Sequence, residues 1–223
     1  VPDGQYSFYL HSDDRTDIAA MATISTISQP LRGEFIRTAA TAGAVVYQVD
    51  ARLPALIPVF FAGQLSAVRL CAVMALVSGT WSSLTGLPDE PENGGAALPV
   101  SPETEYQRRR YTLTLQNGRS GERVESVLTE ASSRLRGDLL RNLIITGLAL
   151  HTTAPELPRL LASMPVPPTS VSELQALVQQ MAGTADVNRA AAAVPDTPAA
   201  PAAPVSGADT REIKKNMRRA FGD

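Results

Sequence analysis

Gln5-Tyr6-Ser7-Phe8-Tyr9-Leu10-His11-Ser12, residues 5–12, alternates without a break. Tyr6, Phe8 and Leu10 fall on one side, and Ser7, Tyr9 and His11 on the other. A period of two is the mark of a strand with one face buried. A second stretch, residues 106–116, alternates in its later part, where Tyr111, Leu113 and Leu115 oppose Thr112 and Thr114. The Asn117-Gly118 pair that follows is a tight-turn signal. Almost all remaining apolar segments carry helical spacing, so the expected fold class is α+β. About six helices dominate, arranged around a small antiparallel sheet and followed by an extended Pro/Ala-rich C-terminal arm.

Outward from the first strand, Thr16 or Asp17 can cap a helix reaching about Ser28, with Pro30 as its stop. Residues 31–42 read as a second helix that Gly43 ends, and the short β-branched run 44–49 as a strand. Pro54 and Pro58 interrupt the next segment, leaving 59–62 as a strand or a helix entry. The clearest helix is 64–78, with a broad apolar face from Leu65, Val68, Ala72 and Leu76, and Gly79 at its end. Residues 87–103, with Pro88, Pro91, Pro99, Pro102 and Asn93-Gly94-Gly95, form a long surface loop. A helical pattern runs from 123 to 151, bent at Gly137, and a shorter one covers 156–164. Ser170-Val171-Ser172-Glu173 fits a capping box that opens a helix through about Met181. No internal repeat of fixed period is apparent. The domain reading is a globular assembly domain at 1–183, a Pro/Ala-rich arm at 184–209 and a basic C-terminal helix at 210–223.

The 223 residues are 44% hydrophobic but only 5% aromatic, so the core is built mainly from Ala, Val, Leu and Ile. Arg52, Arg69 or a proline breaks each apolar stretch before about 20 residues, which argues against a membrane span. The single cysteine, Cys71, allows no intramolecular disulfide and suits a reducing compartment. Net charge is −2, but it is unevenly spread. Up to residue 104 there are 5 Lys+Arg against 10 Asp+Glu; beyond it, 15 against 12. An acidic half and a basic half can attract copies of the chain to each other while one basic face meets a polyanion.

Catalytic signatures are missing: no GxxxxGK[ST], GxGxxG, HExxH, GxSxG or CxxC occurs. The two histidines, His11 and His151, are far apart in sequence, and Cys71 lies among Leu70, Ala72 and Val73 as a core residue would. Asp13, Asp14 and Asp17 read as a solvated turn or helix start, and Arg134 and Arg141 as charges offset by Glu130 and Asp138. The chain reads as a non-enzyme that needs no cofactor and no metal. Its clearest functional signal is Tyr106-Gln107-Arg108-Arg109-Arg110-Tyr111. Guanidinium forks suit phosphate oxygens, and the flanking tyrosines offer faces to bases. The bland alternative is a solvated edge strand that uses charge to block unwanted pairing. A second signal is the stripe Lys214, Lys215, Arg218 and Arg219, with Arg211 nearby, on a helix tethered by the Ala/Pro run 190–204. Such a stripe can follow a phosphate backbone, or be a solvated terminal helix that docks an acidic partner.

Pro, Ala and Ser together make 66 of the 223 residues and crowd into 190–206. With the basic end and the opening Asp3-Gly4-Gln5-Tyr6-Ser7-Phe8-Tyr9-Leu10, this resembles the proline–alanine–serine-rich proteins of polymycoviruses, fungal double-stranded RNA viruses. The resemblance implies a self-assembling coat protein, filament-forming, that covers viral RNA without sequence specificity. Its setting would be the virion and the host cytoplasm, and its partners would be copies of itself and double-stranded RNA. Tyr106, Arg108–Arg110, Tyr111, Lys214, Lys215, Arg218 and Arg219 would then contact RNA. The competing reading is a scaffolding protein that binds no nucleic acid.

Overall fold

The computed structural model describes residues 4–80 and 107–192. Its element order is β1 (Gln5–His11), α1 (Arg15–Ser25), a 3-10 turn (Gln29–Leu31), α2 (Arg32–Val49), α3 (Leu53–Phe60), α4 (Ala67–Ser78), β2 (Arg108–Thr114), α5 (Arg119–Glu130), α6 (Arg136–Thr153), α7 (Leu157–Ser163) and α8 (Val171–Ala192). The fold is helix-dominated α+β, as the alternation and helical spacing imply. β1 and β2 pair antiparallel as a two-stranded ribbon, with Phe8 opposite Tyr111 at its centre and Gln5 and His11 opposite Thr114 and Arg108 at its ends. The ribbon's inner side carries Phe8, Leu10 and Leu113 into the core.

The order β-α-α-α-α occurs twice, a two-copy repeat where the sequence shows no internal repeat of fixed period. Arg32 opens α2 and Arg136 opens α6, a separation of 104 residues, and the same separation relates α1 to α5, α3 to α7 and α4 to α8. The small hydrogen bonds repeat too. Arg32 Nε donates to the Ile27 carbonyl at 2.8 Å, and Arg136 Nε to the Ala131 carbonyl at 3.2 Å. Ser66 caps α4 by accepting from the Arg69 N–H, and Ser170 caps α8 by accepting from the Glu173 N–H. The repeat escapes a sequence reading because so few identities survive, Leu31-Arg32-Gly33 against Leu135-Arg136-Gly137 among them. It is also a single pair of long copies, not a short period.

α2 and α6 cross each other closely, and the crossing explains two glycines. A Cβ on Gly43 would overlap the Leu143 carbonyl, and a Cβ on Gly147 would overlap the backbone of Ala39. Gly43 and Gly147 occupy equivalent places, as do Ala39 and Leu143, so each helix presses its glycine onto the other about a pseudo-twofold axis. Gly43 therefore does not end α2. Residues 44–49, expected as a strand, continue the helix, because Ala44, Val45 and Val46 are fully buried against its neighbours. Tertiary burial here outweighs the β preference of valine.

Four other expectations shift. The pattern at 123–151 is two helices, broken at 131–135, and Gly137 lies in the first turn of α6 instead of at a bend. Asn117-Gly118 closes no hairpin; Gly118, at φ 132°, opens α5. Residues 59–62 split between the last turn of α3 and the residues beyond it. The helix opened by the capping box runs to Ala192, past Met181, because Ala190–Ala192 are strong helix formers and the next proline is Pro195. The loop at 87–103, the arm beyond 192 and the helix at 210–221 lie outside the described residues.

Candidate nucleic-acid interface

Strand alternation sorts the ribbon's side chains. Phe8, Leu10, Leu113 and the half-buried Tyr6 and Tyr111 face the helices, and Phe8 stacks on Tyr111 with ring centroids 5.2 Å apart. The outer face therefore presents Gln5, Ser7, Tyr9 and His11 from β1, opposite Thr114, Thr112, Arg110 and Arg108 from β2. Arg108, Arg110, Thr112, Thr114 and Gln5 are exposed, and no carboxylate sits at any of these eight positions.

Both outward arginines lean across to the neighbouring strand. Arg110 donates from Nε and Nη2 to Ser7 Oγ, at 3.2 and 2.9 Å. The Arg108 guanidinium lies 3.5 Å from the Tyr9 ring centroid, a cation–π stack. These contacts hold the two guanidiniums along the outer face with donors still available. Arg109 belongs to the inner set, opposite Leu10, at the ribbon end, where it stays exposed 5.2 Å from the Tyr111 ring centroid. Burial raises the Tyr111 phenol above its ordinary pKa, with Arg109 and Arg32 pulling the other way. Of the expected contact residues, then, Arg108 and Arg110 share one face, while Arg109 and Tyr111 lie on the other. Tyr106, Lys214, Lys215, Arg218 and Arg219 lie outside the described residues.

One end of the ribbon is fixed by a buried ion pair that the sequence reading missed. Asp17, expected in a solvated turn or at a helix start, lies at the start of α1 but has a side chain only 1% exposed. Its Oδ2 accepts from the His11 N–H at 2.9 Å and lies 3.2 Å from His11 Nδ1, while its Oδ1 accepts from Arg141 Nε at 2.6 Å. Arg141 also reaches Asp14 at 3.4 Å. So Arg141 is no free basic edge: it ties α6 to the junction of β1 and α1. The available signal was Asp17 three residues after Asp14, which places it inside the first helical turn.

The other titratable candidates are structural. Cys71 is buried and its thiol is pushed up by that burial, the opposite of an activated nucleophile. His151 packs its ring edge-on to Phe35 at 5.0 Å near the end of α6. Among the described residues, no helix is long and apolar enough to cross a membrane.

No curated protein and no solved structure matches the chain. The family described as plasmid stability protein matches residues 4–74 and 109–178, ranges that coincide with the two structural halves. Those ranges cover more than half of the 223 residues, and the chain belongs to the plasmid stability protein family.

Proposed function

We propose that the chain is a non-enzymatic DNA-binding protein of plasmid maintenance that grips duplex DNA with the outer face of its ribbon. The observation that carries this reading is the carboxylate-free outer row. It sets Arg108 and Arg110 in one row with Gln5, Ser7, Thr112 and Thr114, of which Gln5, Arg108, Arg110, Thr112 and Thr114 are exposed. The major groove of B-DNA is about 12 Å wide and admits a two-stranded antiparallel ribbon. Arginine and glutamine are the side chains that pair with base edges there, while serine and threonine serve either bases or phosphates. Because both strands come from one chain, the gripping element needs no second copy to be complete.

The family supports DNA over RNA as the polyanion. So does groove shape, since the A-form major groove is too deep and narrow for side chains to read. The likeness to polymycovirus coat proteins rests on the opening residues 3–10 and on the Pro/Ala/Ser tail with its basic end, and that tail lies outside the matched ranges. Fluorescence anisotropy with a labelled plasmid duplex and a double-stranded RNA of equal length, across a salt series, tests the reading. Duplex DNA is expected to bind with affinity falling steeply as salt rises, and more tightly than RNA. Equal affinity for the two, or an Arg108→Ala/Arg110→Ala variant that binds DNA like the parent, overturns it.

A further inference from the structure

The two halves carry the same skeleton with opposite charge at one place. In the first half the turn into α1 holds Asp13, Asp14 and Asp17; Asp14 Oδ1 accepts from the Asp17 N–H at 2.9 Å, and Asp17 takes Arg141. The equivalents in the second half, 104 residues on, are Asn117, Gly118 and Gly121, so all three carboxylates are gone. Their basic counterpart remains. Arg37 stands where Arg141 stands, one helix turn into α2, and its Nε is buried with no hydrogen-bond partner. Among the described residues only its Nη2 is engaged, by Glu34 Oε2 at 2.7 Å. The Gln116 carbonyl closes in on Gly121, so no side chain can return from that position.

What lies beside Arg37 is a cleft of about 350 Å³ lined by Arg119 and Arg159 as well, together with Gly118 and Ser120 at the start of α5. Gly118 supplies no side-chain cap, so the first N–H groups of α5 face this space without a built-in acceptor. Arg159 has no counterpart in the first half, where Ala55 stands. The cleft thus gathers three guanidiniums against the single carboxylate of Glu34, a formal surplus of two positive charges around a helix N-terminus.

We infer that this cleft binds a phosphate group, which takes the place that the Asp17 carboxylate fills in the other half. A carboxylate suffices there for one arginine. Here a doubly charged tetrahedral oxyanion matches the charge surplus, pairs with the Arg37, Arg119 and Arg159 guanidiniums that line the cleft and meets the N–H groups of α5. The same phosphoryl oxygens can come from a free phosphate or nucleotide, or, with one charge in place of two, from the backbone of bound DNA. The inference does not depend on the ribbon's role.

Thermal unfolding of the full chain in inorganic phosphate, against chloride of equal ionic strength, is the direct test. The midpoint is expected to rise with the logarithm of phosphate concentration. Arg37→Gln and Arg159→Gln should each flatten that response, while Arg15→Gln, at the first-half equivalent of Arg119, should leave it unchanged. Arg159 is exposed, so its variant folds and decides the matter even if Arg37→Gln does not. Equal midpoints in phosphate and chloride, or a full response in Arg159→Gln, overturn the inference. A salt series on duplex DNA then separates the sources. A slope reduced by about one in Arg159→Gln assigns the site to a DNA phosphate, and an unchanged slope to a free phosphate compound.

Discussion

The first half of the molecule, β1 to α4, and the second, β2 to α8, share helix order, the Ser66 and Ser170 capping bonds and the glycine contact at the α2–α6 crossing, yet almost none of their surface chemistry. On the ribbon, Gln5 and Ser7 of β1 occupy the places that Arg108 and Arg110 hold in β2, with Tyr9 and His11 matched by Thr112 and Thr114. At the strand–helix junction, a buried Asp17–Arg141 pair in one half becomes Gly121 and a half-satisfied Arg37 in the other. What is kept is what the pseudo-twofold packing needs; what has diverged is what solvent or a ligand meets. A duplicated chain can do this because each copy's surface is free to change once the two are joined.

The comparison breaks most visibly at its centre. Gly43→Val and Gly147→Val should each abolish cooperative folding, since neither added side chain has room and the obstruction is backbone, not a movable side chain. Circular dichroism and urea unfolding check this, and a large difference between the two variants would mean that the crossing is not symmetric. Next in size is the junction pair. Arg141→Met leaves Asp17 buried without its cation and should cost about 3 kcal/mol. Arg37→Met at the equivalent place should cost less than about 1 kcal/mol, because it gives up only an exposed pair with Glu34 and removes an unpartnered Nε. Similar costs for both would show the halves to be alike where they are described here as different.

The ribbon sharpens the comparison through binding. Arg108→Ala/Arg110→Ala should weaken DNA binding about tenfold to a hundredfold, and Gln5→Ala/Ser7→Ala distinctly less. Because the two strands differ, sites selected from random duplexes should be non-palindromic, and a palindromic consensus would show that the strands read alike. The smallest effect is at the α2–α3 corner, where Asp50 accepts from Arg52 Nε and Nη2 at 3.0 and 2.7 Å, while the second half has Ala154 and Glu156. The hydrogen bonds from Arg52 hold the Asp50 carboxyl below its ordinary pKa. A depressed folded-state pKa contributes stability that is present above the ordinary carboxylate value and is lost as pH falls through the lowered one. Asp50→Asn should therefore melt slightly below the parent at pH 6, and the gap should narrow as pH falls below the ordinary carboxylate value.

Much of this was visible in the amino-acid order alone. The alternation of residues 5–12 and 111–115 identifies both strands, Gly79 ends α4, and the Ser170–Glu173 box opens α8 where expected. Local rules suffice at those points because strand alternation and capping involve residues within a few positions of each other. Arg108 and Arg110 stand out as charge, and alternation separates them from Arg109.

Tertiary structure alone decided the rest. Residues 44–49 are helical because the core buries them, Gly43 is a contact point and not a terminator, and Asp17 is a buried acceptor because Arg141, more than a hundred residues away, arrives beside it. The duplication is of this kind as well. It is preserved in backbone contacts about an axis, which many side-chain combinations satisfy, so packing keeps a symmetry that the letters have mostly lost.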